Sequence, residues 1–330
     1  MDNATVLKVE GLSIGFDRDG TLVPALRDVS FEIRHGEIMG LVGESGSGKS
    51  LTSLSIMKLL PRNATVLSGA IQINDVPILE VSESAMHTIR GNLVSMIFQE
   101  PMVALNPLAT VGKQIAEPLA LHTKLSASER TAAVLRLLKS VGIPEPERRI
   151  KQYPFELSGG MRQRVMIAMA LACEPQVIIA DEPTTALDVT IQYQILELLR
   201  EIREKRGTSI LLITHDMGVI ADLADRVSVM YAGRIVETAP VQELFAHPAH
   251  PYTRGLLQSI PSMTGDRSKD LPSIPGTVPD LRDLPPGCPF QSRCFAVSDK
   301  CRQHEPPLSQ IHGEHFAACW HPSLREEALG

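Results

Sequence analysis

The feature that most constrains this chain is a glycine-rich segment between an apolar run and a helix-forming segment. Residues 43–50 read Gly-Glu-Ser-Gly-Ser-Gly-Lys-Ser and directly follow the apolar run at residues 38–42. A Gly-x4-Gly-Lys-Ser sequence between a buried strand and a helix is the pattern of a phosphate-binding P-loop. Backbone N–H groups of such a loop turn towards phosphate oxygens, and the beginning of the helix adds its partial positive charge. The sequence therefore predicts a site for nucleotide phosphates at residues 43–50.

Four polar side chains carry the chemistry that this loop predicts. Lys49 is expected to reach the β- and γ-phosphates, and the Ser50 hydroxyl is expected to ligate Mg²⁺. The acidic pair Asp181 and Glu182 follows an apolar run and so lies at the carboxyl end of a predicted strand, where open α/β sheets bind ligands. Asp181 would hold Mg²⁺ through water, and Glu182 would position and polarise the attacking water. Alone, an acidic pair after a strand is commonly a solvated loop, and it is the P-loop that favours the catalytic interpretation.

Short apolar runs separated by helical segments predict the fold class. Three such runs, each followed by polar residues, are Leu93–Phe98, Val177–Ala180 and Ile210–Ile213. Runs of this kind are typical of parallel strands that are buried on both faces, and the helical segments between them predict an α/β fold. Residues 51–60 are predicted to form the helix after the P-loop, ending before Pro61. Val29, Phe31 and Ile33 alternate with polar residues, which predicts a half-buried strand.

The pattern along the chain predicts two domains. Residues 1–238 are predicted to form a nucleotide-binding domain with a helical insertion at about residues 100–160. Residues 126–141 of this insertion have helical spacing, and Ser126 or Ser128 is a plausible N-cap. Residues 239–330 hold many of the 24 prolines and form a predicted C-terminal extension.

Composition and charge exclude several classes of protein. Apolar residues make up 43% and charged residues 21% of the chain, which is an ordinary globular balance. The formal net charge of -6 argues against nucleic acid as a partner, because a basic face is expected there. No apolar run approaches the roughly 18 residues that a membrane span requires, and the first residues lack the pattern of a signal peptide. The sequence predicts a cytoplasmic protein whose membrane role, if any, depends on a partner.

The segment before a strongly apolar helix carries the first resemblance to a family. Leu157-Ser158-Gly159-Gly160-Met161 precedes the apolar residues 165–172, and Gln163 and Arg164 follow the motif. Ser158 is a suitable helix N-cap, and the two glycines expose backbone donors that can hold an anion. This segment resembles the signature motif of ABC-transporter ATPases.

Four further positions match the same family in its order along the chain. Gln99 resembles the Q-loop glutamine, which contacts Mg²⁺ and links to the membrane subunit, and Asp188 with Ala186 and Leu187 resembles the D-loop. His215 resembles the switch histidine at the γ-phosphate, and Phe16 stands where the family places an aromatic ring against adenine. The resemblance covers residues 6 to about 240.

The resemblance implies a fold, an activity and a set of site residues. The fold is an ABC-type P-loop NTPase domain with a RecA-like core, an antiparallel β subdomain and a helical subdomain. The activity is ATP hydrolysis with Mg²⁺, in which two ATPases meet head to tail and the signature of each acts on the ATP of the other. Glu182, His215 and Gln99 are the implied catalytic residues, and Ser50, Gln99 and Asp181 the implied Mg²⁺ ligands. The implied ATP-binding residues are Phe16, Gly43, Glu44, Ser45, Gly46, Ser47, Gly48, Lys49, Ser50, Thr52, Gln99 and Asp181.

The extension narrows the resemblance to one branch of the family. Residues 247–257, 274–279 and 287–290 resemble segments of dipeptide and oligopeptide importer ATPases, and residues 98–107 match that branch too. The implied partners are a second homologous ATPase, two transmembrane permease subunits and an extracytoplasmic solute-binding protein, with the chain peripheral on the cytoplasmic face of the inner cell membrane. A heterodimer with a related ATPase is expected, and a homodimer stays open.

Other interpretations of the sequence stay open beside peptide import. Importers of nickel or another small solute look alike at this level. A soluble ABC ATPase of DNA repair or translation is disfavoured by the short insertion and the single cassette. A P-loop kinase is disfavoured by the signature motif.

Four of the five cysteines lie close to the end of the chain. Cys288, Cys294, Cys301 and Cys319 are separated by 5, 6 and 17 residues, whereas structural zinc sites more often contain a tight cysteine pair. A Cys-Pro step is typical of bacterial ferredoxins, and the importer branch implies a [4Fe–4S] cluster at these cysteines. Zinc and no metal are the alternatives. Arg293 and Lys300 are expected to offset the cluster charge.

Overall fold

The computed structural model describes residues 4–18, 20–185, 187–260 and 273–322. Its strands are β1 (Thr5–Arg18), β2 (Thr21–Arg34), β3 (Ile38–Val42), β4 (Ala64–Ile73), β5 (Val76–Pro77), β6 (Val94–Ile97), β7 (Val177–Asp181), β8 (Ser209–Thr214), β9 (Arg226–Tyr231), β10 (Arg234–Pro240), β11 (Ser309–His312) and β12 (His315–Ala317). Its helices are α1 (Lys49–Ile56), α2 (Glu83–Ile89), α3 (Pro101–Ala104), α4 (Val111–His122), α5 (Ala127–Ser140), α6 (Pro146–Arg149), α7 (Gly159–Ala170), α8 (Val189–Arg206), α9 (Met217–Leu223), α10 (Val241–Ala246), α11 (Pro251–Gln258) and α12 (Asp299–Gln303). None of these helices is long and apolar enough to cross a membrane.

An eight-stranded sheet forms the centre of the molecule, in the order β11-β12-β10-β9-β3-β8-β7-β6. Its middle pairs, β9 with β3, β3 with β8, β8 with β7 and β7 with β6, are parallel. Every residue of β3, β6, β7 and β8 is buried. Apolar runs that are covered on both faces produce this arrangement. The predicted α/β class is therefore confirmed, and the carboxyl ends of these strands meet at one edge.

A second, antiparallel sheet lies beside the first, in the order β2-β1-β4-β5. Along β2, Val29, Phe31 and Ile33 are buried while Ser30 is exposed, as the alternation predicts. This sheet is the predicted antiparallel β subdomain.

The helical insertion contains α3 to α7. Helix α5 begins after Ser126, whose hydroxyl accepts from the Glu129 N–H while the Glu129 carboxylate accepts from the Ser126 N–H, which forms a capping box. The predicted helix at residues 126–141 is thus confirmed, with Ser126 as the cap. The predicted helix at residues 51–60 is wrong at its end, because α1 stops at Ile56. Lys58 adopts a left-handed conformation with φ 52°, so the helix ends well before Pro61.

The extension continues the central sheet. The predicted boundary at residue 238 falls inside β10, and β12 pairs with β10 through Glu237 opposite Ala317 and Thr238 opposite Phe316. Side chains of the extension, including Phe290, belong to the same core cluster as the buried strands. Residues 261–272 and 323–330, which the extension also includes, lie outside the described residues.

A buried carboxylate joins β10 to the extension. The Glu237 side chain is fully buried and accepts from the Ala249 N–H at 2.7 Å, from the His250 N–H at 2.8 Å and from His315 Nε2 at 2.7 Å. The three buried donors are thus paired with carboxylate oxygens, and replacement of an acceptor oxygen would leave a buried donor unpaired. We therefore expect Glu237 to anchor α11 and the β11–β12 hairpin to the sheet.

Replacement of Glu237 by glutamine should destabilise the extension by about 2–5 kcal/mol, because an amide nitrogen would then face buried donors. Urea unfolding followed through Trp320 measures this, since Trp320 is the single tryptophan and lies in the extension. Glu243→Gln is the matched control, because Glu243 pairs with the exposed His312 and its loss should change the free energy of unfolding by under about 1 kcal/mol. Equal effects of the two variants would contradict the anchoring role.

Candidate nucleotide-binding site

The loop at residues 43–48 takes backbone conformations that require glycine. Gly43 has φ 151° and Gly48 has φ 110°. A Cβ atom at Gly43 would collide with the carbonyl oxygen of Met230, and one at Gly48 would lie 2.5 Å from Leu26 Cδ2. Side chains are therefore excluded at both positions, and the main chain can turn sharply from β3 into α1.

Lys49 is the first residue of α1, and its side chain folds back over the loop. Its Nζ donates to the carbonyl oxygens of Gly43 at 2.6 Å and Glu44 at 3.0 Å. Burial lowers the pKa of Lys49, while the nearby carboxylates of Glu182 and Asp181 oppose that shift. The ammonium thus lies at the mouth of the loop, where a phosphate group would meet both it and the backbone donors.

Ser50 and Asp181 approach each other from α1 and the end of β7. The Ser50 hydroxyl lies 3.3 Å from Asp181 Oδ1, and the Ser53 hydroxyl lies 3.4 Å from Asp181 Oδ2. Burial raises the pKa of Asp181, and its hydrogen bonds to the serine hydroxyls act against that rise. Hydroxyl and carboxylate oxygens are the ligands that Mg²⁺ prefers, and Mg²⁺ usually keeps several of its waters. The pair therefore fits a magnesium site made of few protein ligands.

Glu182 receives hydrogen bonds from three directions. Gln99 Nε2 lies 2.9 Å from Oε2, the Thr185 hydroxyl lies 2.8 Å from the same oxygen, and His215 Nδ1 lies 3.1 Å from Oε1. Burial acts to raise the pKa of Glu182, but the bonds from Thr185 and His215 outweigh it and hold the pKa below its usual value. Its backbone is left-handed with φ 46°, an unfavourable conformation that often occurs at functional sites. The carboxylate is thus deprotonated at neutral pH and oriented by its three hydrogen bonds.

The strand ends bring six of the predicted site residues together. Gln99 follows β6, Asp181 ends β7, Glu182 follows it, and His215 follows β8. Lys49 and Ser50 complete the group from the beginning of α1. The other loop residues lie beside them, with Ser45 and Gly46 exposed at the tip and Ser47 buried.

Two further predicted ATP-binding residues lie outside the loop at residues 43–50. Thr52 is fully buried, and its hydroxyl donates to the Gly48 carbonyl oxygen at 3.0 Å, so the side chain supports the loop from below. Phe16 lies on β1 of the antiparallel sheet, half-buried, opposite Val23 on β2 and Ala64 on β4. Phe16 therefore lies in the antiparallel sheet, whereas the P-loop follows a strand of the central sheet. This position is compatible with contact to the base of ATP and not to its phosphates.

The signature segment forms the exposed beginning of α7. Ser158 caps this helix by accepting from the Met161 N–H at 3.3 Å, and Leu157 is buried beneath it. A methyl group added to Gly160 would lie 2.8 Å from Ile191 at the beginning of α8. Among the described residues, no hydrogen bond joins residues 157–161 to the P-loop, so the two motifs present separate surfaces. Gly159 is exposed there.

The D-loop lies close to the signature. Asp188 caps α8 by accepting from the Ile191 N–H at 3.0 Å. Leu187 is the nearest side chain to Gly159, whereas Ala186 lies outside the described residues. The signature and the D-loop are therefore neighbours on the surface of the chain.

Comparison with known proteins identifies the family. The family model for ABC transporters matches residues 26–185, and that for the C-terminal region of oligopeptide/dipeptide transporters matches residues 236–301. The dipeptide transport ATP-binding protein DppD of Bacillus subtilis is 50% identical over 323 residues, covering 98% of this chain and 96% of DppD. The chain belongs to the ATP-binding subunits of ABC transporters, in the oligopeptide/dipeptide branch.

Two further relatives support the assignment of this chain to the ABC ATPase family. The oligopeptide transport ATP-binding protein AppD of Bacillus subtilis is 51% identical over 306 residues, covering 92% of this chain and 93% of AppD. The ATP-binding cassette MJ0796, solved as a dimer in a post-hydrolysis state with ADP and Pi, is 29% identical with a TM-score of 0.65. That alignment covers 71% of this chain and 98% of MJ0796. The fold is that of an ABC nucleotide-binding domain, and members of this family hydrolyse ATP.

Four residues of the site were missed by sequence analysis. Thr185 and Ser53 bond to the two acidic residues, and their short spacing from Glu182 and Ser50 was the available signal. Tyr252 and Arg293 of the extension contact Glu44 of the P-loop, and nothing local in the sequence indicates this.

The two basic residues near the cysteines each contact another side chain. Arg293, which was expected to offset cluster charge, pairs with Glu44. Lys300 Nζ lies 3.6 Å from the centre of the Trp320 ring. Each of these cations thus has an identified partner other than a cysteine.

Replacement of Glu182 by glutamine should leave ATP binding intact and lower turnover by about 10²–10⁴-fold, the usual worth of a general base. The amide keeps the shape of the side chain but cannot take the proton of the attacking water. Steady-state hydrolysis and nucleotide titration on the same preparation check this. Glu174→Gln, at an exposed ion pair with Arg206, is the control and should keep its turnover. Near-normal turnover of Glu182→Gln would contradict the assignment of Glu182 as the general base.

Proposed function

We propose that this chain powers import of peptides across the cytoplasmic membrane as one ATPase subunit of an ABC transporter. One observation carries the proposal most directly. The strand edge that gathers Lys49, Asp181 and Glu182 lies in the same chain as an extension of the oligopeptide/dipeptide type. The relatives DppD and AppD are named for dipeptide and oligopeptide transport. An importer of nickel or another small solute is the second candidate, since the fold alone supports either.

In the proposed mechanism Lys49 and the P-loop bind the β- and γ-phosphates of ATP. Ser50, Gln99 and Asp181 would hold Mg²⁺, which would supply charge neutralisation on the phosphates. Glu182 takes the proton of the attacking water. His215 donates a hydrogen bond that orients Glu182, and it contacts the γ-phosphate. The bonds that Gln99 and His215 donate to Glu182 support this division of roles.

The ATP site is proposed to be completed by a second ATPase. The signature at Ser158 and Gly159 is exposed and shares no hydrogen bond with the chain's own P-loop in the described residues. A solved relative, MJ0796, is a dimer. A related but different chain is the proposed partner, and the signature of this chain then acts on that partner's ATP.

The permease subunits are proposed to dock on an apolar groove beside the Q-loop. The groove is lined by Phe98, Leu105, Pro118, Met166 and Met169 among others. Val103 and Leu108, close in sequence to the lining residues Ala104 and Leu105, are 80% and 88% exposed. A contiguous exposed apolar patch, unlike single exposed apolar residues, favours an interaction surface. Docking here would connect Gln99 at the ATP site with the membrane subunits, and would place the chain peripherally on the cytoplasmic face of the inner membrane.

Co-purification tests the assembly. The chain should come down with two hydrophobic permeases, and Val103→Glu should abolish this by placing a charge on the groove rim. Leu67→Glu, at an exposed leucine of the antiparallel sheet, is the control and should keep the complex. Purification of the native chain without permeases would contradict transport and favour a soluble ABC ATPase.

The solute is tested on the same complex in vesicles. Peptide-loaded solute-binding protein should stimulate ATP hydrolysis, and the binding protein isolated from cells should carry peptide. A binding protein that carries nickel or another small solute, with no response to peptide, would favour the second candidate.

We further propose that the four late cysteines hold a [4Fe–4S] cluster. Cys288, Cys294, Cys301 and Cys319 are unpaired and line one cavity. Among the described residues, no three cysteine sulfurs lie within 4.8 Å of one another. A single tetrahedral zinc, with Zn–S of about 2.3 Å, would hold its sulfurs about 3.8 Å apart. The described cysteine sulfurs are therefore not arranged as a closed single-zinc site.

Buried thiols and backbone donors support the same assignment. Burial raises the pKa of Cys288 to about 11 and that of Cys319 to about 12, so metal binding must release their protons. The N–H groups of Ala296 and His321 lie 3.4 Å from Cys294 Sγ and 3.3 Å from Cys319 Sγ. Such donors stabilise cluster thiolates. The bound cluster would hold the proline-rich segment together, which is a structural role.

Protein purified without oxygen should contain iron and inorganic sulfide in equal amounts. Cys301→Ser should lose most of both, because one ligand is removed. Cys173→Ser should keep them, since Cys173 lies outside the cavity, against the main core. Metal and sulfide analysis decides, and zinc without sulfide, or no metal, would overturn the cluster.

A further inference from the structure

The extension reaches into the P-loop through one arginine. Arg293 Nη1 and Nη2 donate to the two carboxylate oxygens of Glu44, at 2.7 and 3.0 Å, although the two residues are 249 positions apart in sequence. The Arg293 side chain is only 3% exposed. A bidentate arginine–carboxylate pair of this kind fixes orientation as well as charge. Glu44 is the second residue of the P-loop.

Arg293 is itself held firmly inside the extension. Its Nε donates to the Pro275 carbonyl oxygen at 2.8 Å, and its guanidinium lies 5.8 Å from the Tyr231 ring centre and 5.9 Å from that of Phe290. Its own N–H donates to the Phe290 carbonyl oxygen at 3.0 Å. The next residue is Cys294. The guanidinium is therefore fixed by the extension, and its position restricts the conformation of the P-loop.

A second residue of the extension fixes the backbone of the same loop position. The Glu44 N–H donates to the hydroxyl of Tyr252 at 2.8 Å. Tyr252 is fully buried, and its ring centre lies 4.7 Å from that of Tyr231. Burial raises the pKa of Tyr252, so the phenol remains a neutral acceptor. Glu44 is thus held by its side chain and by its main chain.

The Glu44 peptide in turn organises the loop. Its carbonyl oxygen accepts from Lys49 Nζ at 3.0 Å and from the Ser47 N–H at 3.2 Å. A free carboxylate at this position would also repel a triphosphate, and the ion pair with Arg293 offsets its charge.

We infer that Arg293 and Tyr252 are positioning residues of the ATP site, which hold Glu44 so that residues 43–50 keep a phosphate-binding conformation. The inference rests on the assignment of residues 43–50 as the phosphate loop. The extension then belongs to the nucleotide site. Because coupling between two sites is reciprocal, a nucleotide bound at the loop stabilises the segment around Arg293.

Nucleotide affinity tests the inference directly. Titration of the full-length chain with the non-hydrolysable analogue AMP-PNP and Mg²⁺ should show about 10- to 100-fold weaker binding for Arg293→Gln, the usual worth of a charged hydrogen-bonded pair. Tyr252→Phe removes one oxygen and should weaken binding about fivefold. Arg282→Gln, at an exposed arginine of the extension that pairs with Asp280, is the matched control and should bind as the parent does.

Three measurements separate positioning from general damage to the fold. In the intact transporter, Arg293→Gln should raise the KM for ATP while kcat at saturating ATP changes less than twofold. Arg293→Lys should recover part of the affinity. Glu44→Gln combined with Arg293→Gln should bind about as well as the weaker single variant, because both changes remove the same interaction. If Arg293→Gln does not fold, Tyr252→Phe carries the test.

Lys49→Ala distinguishes this inference from the site assignment. Parent-like affinity of Arg293→Gln and Tyr252→Phe, with loss of binding in Lys49→Ala, would overturn the positioning role alone. Parent-like binding in Lys49→Ala would overturn the phosphate loop, and with it the inference. Effects of Arg293→Gln and Glu44→Gln that multiply in the double variant would also contradict a shared interaction.

Discussion

The parallel pairing of four fully buried strands is the constraint on which the rest of the structure depends. Strands β3, β6, β7 and β8 lie side by side in register, so their polar continuations emerge at one edge. Lys49, Gln99, Glu182 and His215 come from distant parts of the sequence, and the sheet alone makes them neighbours. The hydrogen bonds around Glu182 are local adjustments of this arrangement. A chain that lost the register would lose the whole site at once.

The extension is best understood as a part of the ATPase and not as an appendage. Its hairpin extends the central sheet beyond β10, and the Glu237 carboxylate joins two of its segments, residues 249–250 and the β11–β12 hairpin, to that strand. Arg293 and Tyr252 of the extension form hydrogen bonds with Glu44 of the P-loop. The four cysteines line a cavity whose wall also contains Phe290 and His250. Structural integrity of the extension and geometry of the phosphate loop are therefore physically linked.

Sequence predicts the local parts of this structure well. The glycine pattern of residues 43–50, the apolar strands and the cap at Ser126 depend on neighbours within a few residues, and each follows from backbone sterics or short hydrogen bonds. The predicted end of α1 was wrong because the left-handed conformation of Lys58 stops the helix. A lysine at this position does not by itself predict that conformation. The Arg293 contact to Glu44 was also missed, because only the folded sheet brings residues 249 positions apart together. The separation of Phe16 onto another sheet likewise depends on strand pairing across the chain.

The central claim is that this edge of the sheet supplies one half of an ATP site, and that a signature segment from another ATPase supplies the other half. The most direct measurement compares turnover per chain for the isolated protein, at concentrations where it is monomeric by sedimentation, with turnover in the intact transporter. The isolated chain should bind ATP yet hydrolyse it at least about 10²-fold more slowly, since donors that stabilise the transition state are missing. Equal turnover per chain in the monomer and in the transporter would contradict the account.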